Sequence, residues 1–176
     1  MTPDLRYPIG QFDYAAPISA SQRAAHIADI EALPRLLRAA VAGLNDRQLD
    51  TPYRPGGWTV RQLVHHIADS HLNGYARPRF ALTEDNPTIK PYLEAKWAEL
   101  ADAKSLPIEP SLHILDGVHE RWSALLRSLN DADFSRTIVH PEHGRTLSID
   151  VLAGSYAWHG RHHVRHITAL REREGW

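Results

Sequence analysis

Tyr156-Ala157-Trp158-His159-Gly160-Arg161-His162-His163-Val164-Arg165-His166-Ile167 sets four histidines within eight residues of a helical pattern, and their phase decides how the chain is read. Each residue of an α-helix advances about 100°, so with Leu152 at zero, Ile149, Tyr156, Ile167 and Leu170 fall between roughly 0° and 60° and mark a buried stripe. His159 at about −20° and His163 at about 20° lie inside that stripe. One turn apart, their imidazoles stand side by side and can share one ion. His162 and His166 repeat the spacing at about −80° and −40°, toward the edge. That phase puts His162 near solvent and leaves His166 able to hold a ligand or a bound water by a hydrogen bond. Histidines at such positions also serve as hydrogen-bonded packing residues.

Two imidazoles do not complete a site, and the other cluster, Val64-His65-His66-Ile67-Ala68-Asp69-Ser70-His71, lies in an earlier helix. Thr59 and Gln62 have capping-box spacing, and Val60, Leu63, Val64 and Ile67 share a face. The helix is expected to run to about Arg77, where Pro78 disturbs it. Measured from Leu63, His65 falls at about 200°, on the solvent side, while His66 at about −60° and His71 at about 80° both remain open as the third ligand. His66 shares its flank with Ser70, Asn73 and Arg77, a polar ridge suited to line a pocket. His71 falls amid apolar residues, the usual place of a hydrogen-bonded core histidine. Asp69, three residues beyond His66, is placed to orient a ligand or act as a base.

Working outward, a first helix begins at Ser19 or Ser21, with Ile27, Ile30, Leu37, Val41 and Leu44 at helical steps and Pro34 as a kink. A third is expected to be capped by Ser111 and to carry Leu115, Val118, Trp122, Leu125 and Leu129 inward; the fourth opens near Ser148. Residues 1–18 read as an irregular arm. Residues 83–110, with Pro87, Pro91, Pro107 and Pro110, read as a long crossover holding one short helix around Tyr92 to Ala101. His140 to Arg145 suits a hairpin or loop. Leu44-Asn45-Asp46 is echoed by Leu129-Asn130-Asp131, each followed by an irregular link into a histidine-bearing helix. The expectation is an all-α single domain over 1–176: a four-helix bundle of two helical hairpins joined by the crossover, with short accessory helices.

Composition narrows the function. The 176 residues carry 20 Lys and Arg against 21 Asp and Glu, a formal charge of −1, so no electrostatic footprint for nucleic acid or an anionic membrane exists. The N-terminal residues lack the basic start and apolar run of a secretory signal, and no stretch approaches spanning length, so a cytoplasmic location is expected. With no cysteine among them, thiolate ligands and a cysteine nucleophile are excluded, and any thiol chemistry must come from a co-substrate.

Gly56-Gly57-Trp58-Thr59-Val60-Arg61-Gln62-Leu63-Val64-His65-His66-Ile67-Ala68-Asp69-Ser70-His71, together with Tyr156 to Ile167, closely resembles the YfiT branch of the DinB family. Tyr7-Pro8-Ile9-Gly10, Leu49 to Arg54 and the final Gly175-Trp176 extend the resemblance over essentially the whole chain. It implies a four-helix bundle of the DinB/YfiT type, a homodimer, and one divalent transition metal, zinc or nickel, on His66, His159 and His163. Gly160 and Arg161 inside the H-x3-H segment are expected to alter the pocket rim.

Three neutral imidazoles leave a divalent ion its full charge and an open position, so a bound water or a bound thiol would be acidified. The resemblance implies either a metal-dependent hydrolase or an S-transferase joining a low-molecular-weight, bacillithiol-type thiol to an electrophile. The transferase is favoured because no carboxylate follows a ligand: Gly160 follows His159 and Ile67 follows His66. The non-catalytic rival is a metal-stabilised stress-response or binding module, in which four protein ligands close the site.

Overall fold

The computed structural model describes residues 4–142 and 144–176; the first three residues of the expected arm and His143 of the expected 140–145 link lie outside the described residues. Four long helices build the bundle: α1 (Ala20–Val41), α3 (Val60–Thr83), α6 (Glu109–Ser128) and α8 (Ile149–Glu174). Short helices α2 (Asp46–Leu49), α4 (Glu94–Trp97), α5 (Ala101–Ser105) and α7 (Asp131–Phe134) lie between them, with a hairpin of β1 (Thr137–His140) and β2 (Arg145–Ser148). Among the described residues no helix is long and apolar enough to cross a membrane.

The long helices do not pair as two hairpins. α1 packs chiefly on α6 and α8, and α3 packs on the same two, so the members of each expected hairpin, α1 with α3 and α6 with α8, occupy diagonal corners. This corrects the expected arrangement. The reason lies in the connections: the 42–59 link and the 129–148 link each hold a capped single-turn helix, long enough to cross the end of the bundle. Asn45 caps α2 by accepting from the Gln48 amide, and Asn130 caps α7 by accepting from the Asp133 amide. The sequence echo is therefore a repeated cap.

Helix starts follow the capping chemistry. Ser19 with Gln22 and Thr59 with Gln62 form reciprocal capping boxes, and the Ser148 hydroxyl accepts from the Val151 amide. The third long helix departs from expectation. It starts at Glu109, with Pro110 in its first turn, where the missing N–H costs nothing, and Ser111 is buried inside it. Its inward residues are Leu112, Leu115, Trp122 and Leu126, while Val118, Leu125 and Leu129 are only partly buried.

α3 does not stop near Arg77 but passes through Pro78 to Thr83. Its last turn is held from outside: Ala81 is buried, and the Arg136 guanidinium donates to the carbonyls of Ala81 and Glu84, which lack helical partners. α1 likewise runs unbroken through Pro34.

The crossover carries two short helices where one was expected, and its Ile89 amide donates to the Val139 carbonyl, extending the hairpin by one bridge. Residues 4–18 form an irregular arm over α8, tied by the Trp158 indole donating to the Gly10 carbonyl at 3.2 Å. The core is two clusters: one around Leu37, Leu63, Ile67, Leu115 and Ile167, the other around Ile30, Trp122, Ile138, Ile149 and Leu152.

Candidate metal centre

α3 and α8 are neighbours, and the histidines they carry meet. His66 Nε2 lies 3.3 Å from His159 Nε2, and His163 Nε2 lies 3.1 Å from the same atom. One ring nitrogen from each of the three falls within 4.8 Å of the others. A tetrahedral ion about 2.0–2.1 Å from each nitrogen separates its ligands by roughly 3.4 Å, so the spacing fits one divalent ion.

All three imidazoles are held neutral. Burial pushes His66 down to about 4; burial first, and neighbouring imidazoles second, hold His159 and His163 well below the usual histidine range. Neutral imidazole is the form that ligates a metal. Three nitrogens crowded with no acidic group between them repel one another, and a cation at their centre removes that repulsion.

Surrounding residues orient these rings. His163 Nδ1 faces His166 Nδ1 at 3.4 Å, and His166 stacks on Tyr53 with ring centroids 4.2 Å apart. His159 Nδ1 is 3.0 Å from Nε2 of His71. His71 is fully buried, as a hydrogen-bonded core histidine should be, and its Nδ1 lies 3.0 Å from Nε2 of His119 on α6. Trp58 packs on His66 with centroids 4.7 Å apart.

Two sequence expectations fail here, for one physical reason. His65 and His162 were assigned to solvent, yet both are buried. His65 Nδ1 lies 2.7 Å from the Ser111 hydroxyl and its Nε2 3.3 Å from the Leu106 carbonyl, because the end of the crossover covers that face of α3. His162 stacks on Trp158 at 4.5 Å and meets Tyr7 of the arm. Helical phase treats each helix alone and does not see what a crossover or an arm lays over it. Nor do Gly160 and Arg161 shape a rim: a Cβ on Gly160 would meet Leu33 Cδ2 at 2.7 Å, which makes it a close helix contact, and Arg161 pairs with Asp29 at 3.2 Å.

Two cavities reach the imidazoles. One, of about 420 Å³, is lined by Tyr53, Arg54, Trp58, His66, Glu94, Trp158, His159 and His163 among others. The second, about 170 Å³, shares Glu94, Trp158 and His159 with the first and includes Ser70, Arg77, Tyr92, Arg145 and Tyr156. Of the ridge beside His66, then, Ser70 and Arg77 reach this space. Asn73 does not: its amide donates to the Asp69 carbonyl at 2.8 Å, and it lines a neighbouring hollow with Phe80 and Lys90. Asp69 lines neither cavity, and its carboxyl is pushed up to about 6 by burial and by Asp102 on α5. The carboxylate that does border both cavities is Glu94, which periodicity had no means of finding because it sits in the crossover.

A four-helix bundle whose neighbouring helices bring three imidazole nitrogens together beside an open cavity belongs to a class of bundle able to hold a metal ion between its helices. The chain belongs to the DinB superfamily, whose family model matches residues 29–167. A relative from Bacillus cereus strain B4264, named "Putative metal-dependent hydrolase", is 57% identical over 173 residues, covering 98% of this chain and 99% of its own. A relative from Bacillus mycoides strain KBAB4 carries the same description at 57% identity and the same coverage. Among solved structures, YfiT from Bacillus subtilis, described as "a probable metal-dependent hydrolase with an unusual four-helix bundle topology", is 47% identical with a TM-score of 0.95, covering 98% of each chain. TT2238, a four-helix bundle protein, shares the fold at 20% identity and a TM-score of 0.58, over 84% of this chain and 98% of that one.

Proposed function

We propose that the chain is a metal-dependent enzyme in which His66, His159 and His163 hold one divalent transition ion, zinc or nickel. Its reaction joins a low-molecular-weight thiol of the bacillithiol type to a small electrophile. The observation that carries this reading is the convergence of three neutral Nε2 atoms on one point that opens into a cavity. An ion bound there supplies a Lewis acid with an open position, lowering the pKa of whatever thiol or water it takes up.

The chain's own groups do the rest. Trp58, Trp158 and Tyr53 give the larger cavity flat apolar walls that suit an electrophilic carbon skeleton and limit water, and Arg54 offers a positive charge at the same wall. The thiol is favoured over water as nucleophile because no carboxylate adjoins a ligand in sequence and Asp69 lines neither cavity. A second reading, hydrolysis, is supported by the names of the relatives and by Glu94 on the cavity wall.

Metal-loaded protein offered an electrophilic aromatic with candidate thiols, beside an ester and amide panel, separates the two. Thiol-dependent adduct formation that disappears in His159→Ala supports transfer. Metal-dependent hydrolysis without thiol overturns it in favour of the second reading.

A further inference from the structure

A string of imidazoles runs from the metal centre to the far side of the bundle, using one residue from each long helix. His159 of α8 meets His71 of α3, His71 meets His119 of α6, and His119 Nδ1 lies 2.5 Å from the carbonyl oxygen of Ile30 in α1. A carbonyl only accepts, so the direction of every proton in the string follows from that end. His119 must donate from Nδ1, which leaves its Nε2 as acceptor for the Nδ1–H of His71. His71 Nε2 is then the acceptor for the Nδ1–H of His159. The lone pair of His159 is thereby placed on Nε2, the atom that faces His66 and His163. His71 and His119 are buried, so water does not compete for these positions.

The Ile30 carbonyl is available for a reason written in the sequence. In a helix with no proline it would accept from the backbone N–H four residues on, but that residue is Pro34, which has none.

We propose that His119 is a positioning residue for the metal centre, and that Pro34 serves it: the proline frees the Ile30 carbonyl, the carbonyl orients His119, and His119 through His71 fixes the tautomer of His159. Metal-ligating histidines generally donate their second N–H directly to a carboxylate or carbonyl. Here two further imidazoles intervene, so the orientation of one ligand is tied to all four long helices. The inference rests on the metal reading above.

The test uses untagged full-length protein and two readouts besides activity. In metal-free wild-type protein, 15N and 1H imidazole shifts should show His159, His71 and His119 all carrying the proton on Nδ1; a proton on Nε2 of His159 overturns the proposal without any variant. Zinc affinity is then measured by competition with a chelator in His119→Gln and His119→Leu. Glutamine keeps a donor for Ile30 and an acceptor for His71, so its affinity should stay within about threefold of wild type, while leucine should lose on the order of 10- to 100-fold. Equal affinity in the leucine variant, or equal loss in both, overturns the proposal. Pro34→Ala restores a competing N–H and should weaken zinc binding severalfold while the helix itself gains stability, a pairing that a merely structural proline would not produce; unchanged affinity there removes Pro34 from the account. If wild-type protein binds no zinc, the underlying metal reading fails, while the tautomer measurement still stands on its own.

Discussion

His163 and His166, one turn apart on α8, face each other through their Nδ1 atoms at 3.4 Å, so the ring that offers Nε2 to the centre is held from behind by its own helix. Replacing His166 by Phe should keep the stacking on Tyr53 and lose this contact. The expected outcome is a metal affinity lower by about tenfold with little change in thermal midpoint, read by chelator competition and a melting curve.

The buried histidines predict how metal-free protein responds to acid. Burial holds His66, His119, His162 and His166 down to about 4, and His71, His159 and His163 well below the usual value. The unfolded chain therefore binds more protons than the native one between the ordinary histidine pKa of about 6.5 and about 4. Their contribution to stability is present above that ordinary value and is lost as the pH falls toward 4. Asp69, raised to about 6, acts in the opposite direction, but it is one group against these seven, with His26 and His65 lowered as well. Urea midpoints of chelated protein should be level above pH 7 and fall steeply between pH 6.5 and 4; a flat profile through that window contradicts the neutral-imidazole account.

Gly74 of α3 lies against the ring of Tyr156, and a Cβ there would come within 2.4 Å of Tyr156 Cζ. Alanine is the better helix former by about 1 kcal/mol, yet Gly74→Ala should destabilise the fold by about 1–3 kcal/mol because the buried ring has to move. Equilibrium unfolding in urea measures the sign directly.

Glu94 discriminates between the two reactions. If a metal-activated thiol is the nucleophile, Glu94→Gln should leave thiol-dependent turnover within about threefold. If the carboxylate serves as general base for water, the loss should be on the order of 100-fold or more.

Much of this architecture was legible in local sequence. Thr59 with Gln62 announces the start of α3, Ser148 that of α8, and the phase of Leu152, Tyr156 and Leu170 turns His159 and His163 inward; the structure buries His163 and half-buries His159 beside it. Phase alone left His66 and His71 open, and the structure shows why: both point at His159, His66 toward its Nε2 and His71 toward its Nδ1. They sit on opposite sides of the same ring, so no single-helix argument separates a ligand from the residue behind it.

What was not legible depends on segments remote in sequence. His65 and His162 are buried by the crossover and the arm, and His119 gave no signal because its partner carbonyl belongs to α1. Pro78 marked an end for α3 that the structure moves to Thr83, because Arg136 holds the last turn from outside, whereas Pro34, expected not to end its helix, lies inside α1. The diagonal placement of α1 with α3 and of α6 with α8 likewise leaves no mark on any one helix, since each shows only that it has an apolar face.

Metal content of untagged protein, determined alongside His66→Ala and His163→Ala, bears most directly on the claim that three imidazoles share one ion. One divalent ion per wild-type chain, lost in both variants while their helical circular dichroism is retained, is the predicted result. A folded wild-type protein that retains no divalent ion when dialysed against zinc or nickel, or variants that bind as tightly as wild type, would contradict it.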